Sequence, residues 1–165
     1  MSLDGWSRIG RCLVDSRPRL VTWIESTWRP LPASLSDPFK ITAADLSFAR
    51  SSSPLASQPR EFLTPLEPGK VIGIGLNYRS HAIEVGAPIP KNPLLFAKFN
   101  SALIGHGATI RVNEAVTKAA DWEVELAVIL GRTLNCASRE AARNAIFGYT
   151  VANDVTARDV QFSDV

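Results

Sequence analysis

An α+β fold in which strands predominate is expected for this chain of 165 residues, on three observations. Asp121-Trp122-Glu123-Val124-Glu125-Leu126 alternates acidic and apolar side chains with period two, the mark of a strand with two unlike faces. Val71-Ile72-Gly73-Ile74-Gly75-Leu76 and the run from Phe147 to Asn153 have the length and composition of further strands. The helical segments are short by comparison, one following Ser80 and one following Ser138.

Taken in order, the chain divides into an amino-terminal extension or small domain, residues 1–68, and a second region, residues 69–165. In the first part Leu20-Val21-Thr22-Trp23-Ile24 reads as a strand, while Pro, Ser and Ala concentrate in Arg29 to Pro38 and Ser51 to Pro59, which read as loops. The second part opens on the Val71–Leu76 run, read as a buried strand. Its Gly73-x-Gly75 lacks the third glycine of a dinucleotide loop, and Tyr78 stands in that place, so nucleotide binding of that kind is set aside. Ser80 is placed as the N-cap of a helical turn carrying His81 and Glu84 three residues apart on one side. A carboxylate so placed can orient an imidazole and raise its basicity, which makes His81 with Glu84 a candidate general base, although taken alone such a pair is more often an ordinary surface pair. Lys98 falls at a strand end, and His106, between Gly105 and Gly107, reads as a turn residue.

In an extended strand Glu123 and Glu125 point to the same side, and Trp122, Val124 and Leu126 to the other, where Trp122 is expected to pack in the core. Two carboxylates about 4 Å apart repel by roughly 4 kcal/mol at an effective dielectric near 20. A buried pair therefore needs a proton or a counter-charge. A lone Glu-x-Glu is most often the solvated side of a strand, but here the strand from Phe147 to Asn153 ends where Asp154 appears, which supplies a third carboxylate. An all-oxygen set without His or Cys favours magnesium or manganese, with calcium the further candidate, over zinc. Downstream, Thr156 is placed as a helix cap with Asp159 at its third position, which puts Arg158 and Gln161 on one side of a short helix. Arg139-Glu140-Ala141-Ala142-Arg143 is an amphipathic helix of structural character.

Composition excludes several classes. The formal net charge is +2 and the basic residues are scattered, which gives no reason to expect nucleic acid. No apolar run reaches the ~18 residues of a membrane span. Cys12 and Cys136 lie outside any C-x-x-C spacing, as in a reducing, cytoplasmic compartment. A mitochondrial destination is the weaker alternative, since Arg8, Arg11, Arg17 and Arg19 are interrupted by Asp4 and Asp15.

Four blocks together resemble the fumarylacetoacetate hydrolase family, including its acylpyruvate hydrolase-like and oxaloacetate decarboxylase-like members. They are Gly75-Leu76-Asn77-Tyr78 with Ser80, His81 and Glu84; Pro93 to Lys98 with Ala102-Leu103-Ile104-Gly105; Asp121 to Leu126; and Gly148 to Asp154 running on to Gln161. The resemblance covers about the last three fifths of the chain. It implies the family's mixed β-sandwich roll, with Glu123, Glu125 and Asp154 as metal ligands, and His81 with Glu84 activating water. It further implies Arg158, Gln161 and Lys98 facing a small oxo-acid substrate, a magnesium or manganese ion stabilising the enolate formed when a carbon–carbon bond breaks, and a homodimer. The activity so implied is hydrolysis or decarboxylation of acylpyruvate-like or β-oxo acids, as in aromatic catabolism. The family's catalytic domain is expected to continue past Gln161, so the chain is expected to be carboxy-terminally truncated and its partner either a second copy or a complementing chain. The alternative is a non-catalytic family member that associates with an intact homologue.

Overall fold

Two tight turns build the first sheet. Strands β1 (Arg8–Val14), β2 (Arg17–Ile24) and β3 (Thr27–Pro30) form an antiparallel meander in that order. The loops between them are two residues long, Asp15-Ser16 and Glu25-Ser26, and all four of these residues have positive φ, as a type I′ turn requires. Such turns match the right-handed twist of the strands and pin the register, with Arg11 opposite Leu20 and Trp23 opposite Trp28. The rings of that last pair meet edge to face, centroids 5.2 Å apart. The structure, a computed structural model, describes residues 8–163, which fall into two compact units that divide between Ala108 and Thr109.

The core of the first unit lies where this sheet meets helix α1 (Ala43–Ser51). Leu20, Leu31 and Ala49 are buried there, flanked by Ile9, Ile24, Leu35, Ile41 and Leu46. A reciprocal capping box starts the helix: Asp45 N–H donates to Thr42 Oγ1, and Thr42 N–H donates to the Asp45 carboxylate. Irregular chain from residue 52 to 70 is held down by single backbone bonds, such as Leu55 N–H to Trp28 O at 2.9 Å and Leu63 N–H to Arg11 O at 2.7 Å. Gly105 is a glycine because Phe62 O would lie 1.6 Å from any Cβ placed there. His106 belongs to that contact, its carbonyl accepting Phe62 N–H at 2.8 Å beside the Gly107 turn.

Strand β4 (Val71–Gly75) pairs antiparallel with β5 (Leu94–Lys98), and helix α2 (Arg79–Glu84) lies between them in sequence. Gly73 sits directly opposite Phe96, whose ring lies over the glycine and fills the space a side chain would take. β4 is not the buried strand expected from its composition, because Ile72 and Ile74 on its other side are exposed.

In the second unit, the two-residue strand β6 (Ala120–Asp121) precedes β7 (Val124–Leu130). After helix α3 (Arg139–Arg143), capped by Ser138 as expected, comes β8 (Ile146–Asn153), antiparallel to β7. Strand β9 (Thr156–Ala157) pairs with β6 and runs directly into helix α4 (Arg158–Gln161). Thr156 is therefore a strand residue opposite Asp121 rather than the cap of α4, whose N-cap is Ala157. Asp159 is not a cap either. Its carboxylate accepts from Thr117 Oγ1 and from Lys118 N–H at 2.9 Å, which ties the preceding loop to α4. Trp122, expected in the core, is 69% exposed: its side of β7 and β8, with Val124, Leu126, Val128 and Val151, is left open among the described residues. No helix of the described residues is long and apolar enough to cross a membrane.

Two outcomes follow. Leu31→Ala is expected to cost about 3 kcal/mol in denaturant unfolding, because Leu31 is fully buried against Leu20 and Ala49; a loss below about 1 kcal/mol would show that this site is not packed as described. The Thr117 hydroxyl first, then the Lys118 N–H, hold the Asp159 carboxyl below its usual pKa, so its stabilisation is present above the unfolded value and lost as pH falls through the lowered folded value. Asp159→Asn should be less stable than the parent at pH 7, the two stability curves converging in acid below about pH 4; parallel curves through that range would contradict the assignment.

Candidate functional site

Glu123, just before strand β7, and Glu125, within it, fall on one side as the alternation predicts. From Asp121 to Ile129 each odd-numbered residue is half-buried and each even-numbered one exposed. The hairpin ladder then places the third carboxylate. Val124 opposes Asn153 in register, Asp154 N–H donates to Glu123 O at 2.9 Å, and Glu123 N–H donates to Asn153 Oδ1 at 3.2 Å. Glu123 and Asp154 are thus neighbours across the open end of the hairpin, with Glu125 two residues further along β7. The Oδ1 atom of Asp154 is buried and no hydrogen bond reaches it, while the residue keeps other contacts.

Arg158 enters this group from α4. Its backbone N–H donates to Ala119 O at 2.9 Å, and the β6–β9 ladder, with Asp121 opposite Thr156, sets its distance from the acids. The guanidinium is engaged on every nitrogen. Nε donates to Asp121 Oδ2 at 2.9 Å, Nη2 lies 2.9 Å from that same oxygen and donates to Glu123 Oε1, and Nη1 donates to Gln161 Oε1 at 3.0 Å. Glu123 and Arg158 expose 19% and 25% of their side chains, so this pair is partly shielded from water and worth more than a surface ion pair. The bond to Glu123 is the foremost cause that raises the Arg158 pKa, with Asp121 adding to it, so the guanidinium stays charged at any ordinary pH.

The expected pairing of Arg158 with Gln161 is therefore present, and both sit with Glu123. Among the described residues no three His, Cys, Asp or Glu side chains converge closely enough to hold a metal ion as they stand. The donor set nevertheless fits a hard divalent cation: Glu123, Glu125 and Asp154 offer carboxylate oxygens only, and the backbone brings their strand ends together. Glu123 is at present turned to the arginine.

His81, Glu84 and Lys98 belong to the first unit. His81 is half-buried on α2 and Glu84 is exposed on the same side, with no hydrogen bond or ion pair joining them. The N-cap of α2 is Tyr78, which makes no side-chain capping bond, so Ser80 lies inside the helix. Lys98 lies at the end of β5 on the same side as Phe96, its Nζ 5.9 Å from the ring centroid. Sequence reasoning passed over Asp121 as a site residue. The signal was present, since Asp121-x-Glu123-x-Glu125 extends the same period by one step.

The profile of the fumarylacetoacetate hydrolase carboxy-terminal domain matches residues 70–165. Over 93 residues the chain is 47% identical to oxaloacetate tautomerase YisK of Bacillus subtilis, covering 55% of this chain and 31% of that protein. Among solved structures, the fumarylacetoacetate hydrolase of Exiguobacterium antarcticum superposes with a TM-score of 0.79 at 28% identity over 96% of this chain and 59% of that one. The 2-hydroxyhepta-2,4-diene-1,7-dioate isomerase of Mycobacterium marinum does so with 0.72 at 30% identity, over 96% and 58%. The chain thus spans about a third of the first relative's length and under two thirds of the two structures. By the profile, the relatives and the mainly-β α+β fold they share, the chain belongs to the fumarylacetoacetate hydrolase family.

Proposed function

We propose that this chain carries the metal-binding residues of an enzyme acting on small oxo acids, cleaving a carbon–carbon bond of an acylpyruvate-like or β-oxo acid by hydrolysis or decarboxylation. The observation that carries this reading is the convergence of Glu123 and Asp154 at the open end of the β7–β8 hairpin, with Arg158 and Gln161 beside them. Glu123, Glu125 and Asp154 would hold the ion, magnesium or manganese by their chemistry, with calcium a poorer fit for small substrate groups. Such an ion supplies Lewis acidity, stabilising negative charge that develops on the substrate's oxo oxygen.

The remaining roles fall to the chain's own groups. Arg158 offers a planar fork to a substrate carboxylate, and the bond from its Nη1 to Gln161 fixes the plane of that fork. Lys98 supplies a second cation for an anionic substrate. His81, with Glu84 on the same side of α2, is the base that takes a proton from water. Tautomerase and isomerase are the activities named for two of the similar proteins, and they need the same charge stabilisation without the water. The exposed apolar side of β7 and β8, from Trp122 to Val151, favours a second reading, a non-catalytic chain that docks on an intact homologue or on a second copy of itself.

Calorimetric titration with manganese, followed by acylpyruvate cleavage and oxaloacetate keto–enol assays, separates these readings. Glu123→Gln and Asp154→Asn are each expected to weaken manganese binding by more than about 100-fold, beyond the effect typical of an outer-shell residue, and to abolish turnover. Turnover that survives either change would refute the metal reading, and metal binding without turnover on any oxo acid would favour the non-catalytic one.

A further inference from the structure

The cation that neutralises Glu123 in this chain is Arg158, and the same guanidinium is held twice by Asp121, a residue outside the proposed ligand set. Asp121 is fixed independently of the arginine, since its Oδ1 accepts Trp122 N–H at 2.9 Å and its backbone is in the β6–β9 ladder. Arg158 is likewise anchored at both ends, by its backbone bond to Ala119 and by Gln161 at Nη1. One guanidinium therefore bridges two carboxylates that follow each other on the same side of the chain. A divalent ion and a guanidinium cannot both approach the same Glu123 oxygens, because like charges at such distances repel strongly in a partly shielded site. Release of the single bond to Glu123 leaves Arg158 with its two contacts to Asp121 and needs no change of backbone.

We propose that Arg158 is the built-in counter-ion of Glu123 in the metal-free chain and passes wholly to Asp121 when a divalent cation takes Glu123. Asp121 is then a positioning residue: it sets metal affinity by offering Arg158 a second carboxylate, and it keeps its contacts to Nε and Nη2 while the Nη2 hydrogen that had bonded Glu123 is freed for a substrate carboxylate. This rests on the metal reading given above and adds to it a competition within the chain.

The test is a double-mutant cycle read by manganese affinity, from calorimetry or from the paramagnetic resonance of free Mn2+, on the parent, Arg158→Gln, Asp121→Asn and the double variant. Arg158→Gln is expected to bind Mn2+ about tenfold more tightly than the parent, within the range over which contacting residues couple. Asp121→Asn should weaken binding, and by several-fold more when Arg158 is present than when it is Gln. Equal affinity of the parent and Arg158→Gln, or an Asp121→Asn effect independent of Arg158, would overturn the proposal and leave the metal site standing. Failure of both the parent and Arg158→Gln to bind Mn2+ would overturn the metal site and the proposal together. Nuclear magnetic resonance of the unaltered chain needs no variant to fold: the Arg158 Nε–H, bonded to Asp121, should keep its protection from solvent exchange as Mg2+ is added, and loss of that protection would overturn the transfer.

Discussion

Negative charge crowded at the open end of one hairpin is the constraint on which the second unit depends. Asp121, Glu123 and Glu125 follow each other on one side of the chain, and the β7–β8 register adds Asp154 beside Glu123. Like charges so arranged repel, the more strongly the closer they lie and the less water surrounds them. The chain answers with Arg158. A two-residue ladder, β6 with β9, has little stability of its own, yet it is what carries the guanidinium to Asp121 and Glu123. Asp159, next in sequence, fastens the incoming loop through Thr117 and Lys118, so the helix that bears Arg158 is tied at its flank as well. Electrostatics and local backbone geometry here support each other, since a two-residue ladder and a one-turn helix each have little stability alone.

The parts of this arrangement that the amino-acid sequence discloses are those with a simple period. Alternation over residues 121–126 fixes which side Glu123 and Glu125 occupy, and the end of the following strand locates Asp154. The four-residue helix after it places Arg158 and Gln161 together for the same reason. What stayed hidden depends on partners distant in sequence. Thr156 has the composition of a cap, but a ladder to Asp121 claims it for a strand. Ser80 has the composition of a cap too, and the helix starts two residues earlier because Tyr78 is already extended there and Arg79 is helical. The turns of the first sheet were illegible because Asp-Ser and Glu-Ser supply four left-handed residues without the Asn-Gly signature that usually marks them. Helix α1 lies between the two segments read as loops and was given no element, although Thr42-x-x-Asp45 is a capping box with Asp in place of the commoner Glu.

Trp122 shows a different limit. Period two correctly puts it opposite Glu123, but a period says which residues share a side and nothing about what covers that side. With Val124, Leu126, Val128, Tyr149 and Val151 it forms an apolar strip that the described residues leave open. A strip of this kind is where a mainly-β chain gains further burial, and each large side chain covered there is worth roughly 1.5–3 kcal/mol. The same holds for β4, whose Ile72 and Ile74 are exposed while its glycines lie against Phe96 and Leu94.

The two units hold their polar side chains in different ways. Glu123, Asp154, Arg158 and Gln161 are set by ladders and by one another, and groups preorganised in this way need not rearrange as charge develops beside them. His81 instead rides on a six-residue helix without a side-chain cap, entered through Leu76 at φ 49°, and no bond to Glu84 holds its ring. A short helix without a side-chain cap has little stability of its own and is held by packing, here of the fully buried Ala82. Ladders and ion pairs thus place Glu123, Asp154, Arg158 and Gln161, whereas the ring of His81 is placed by its helix alone.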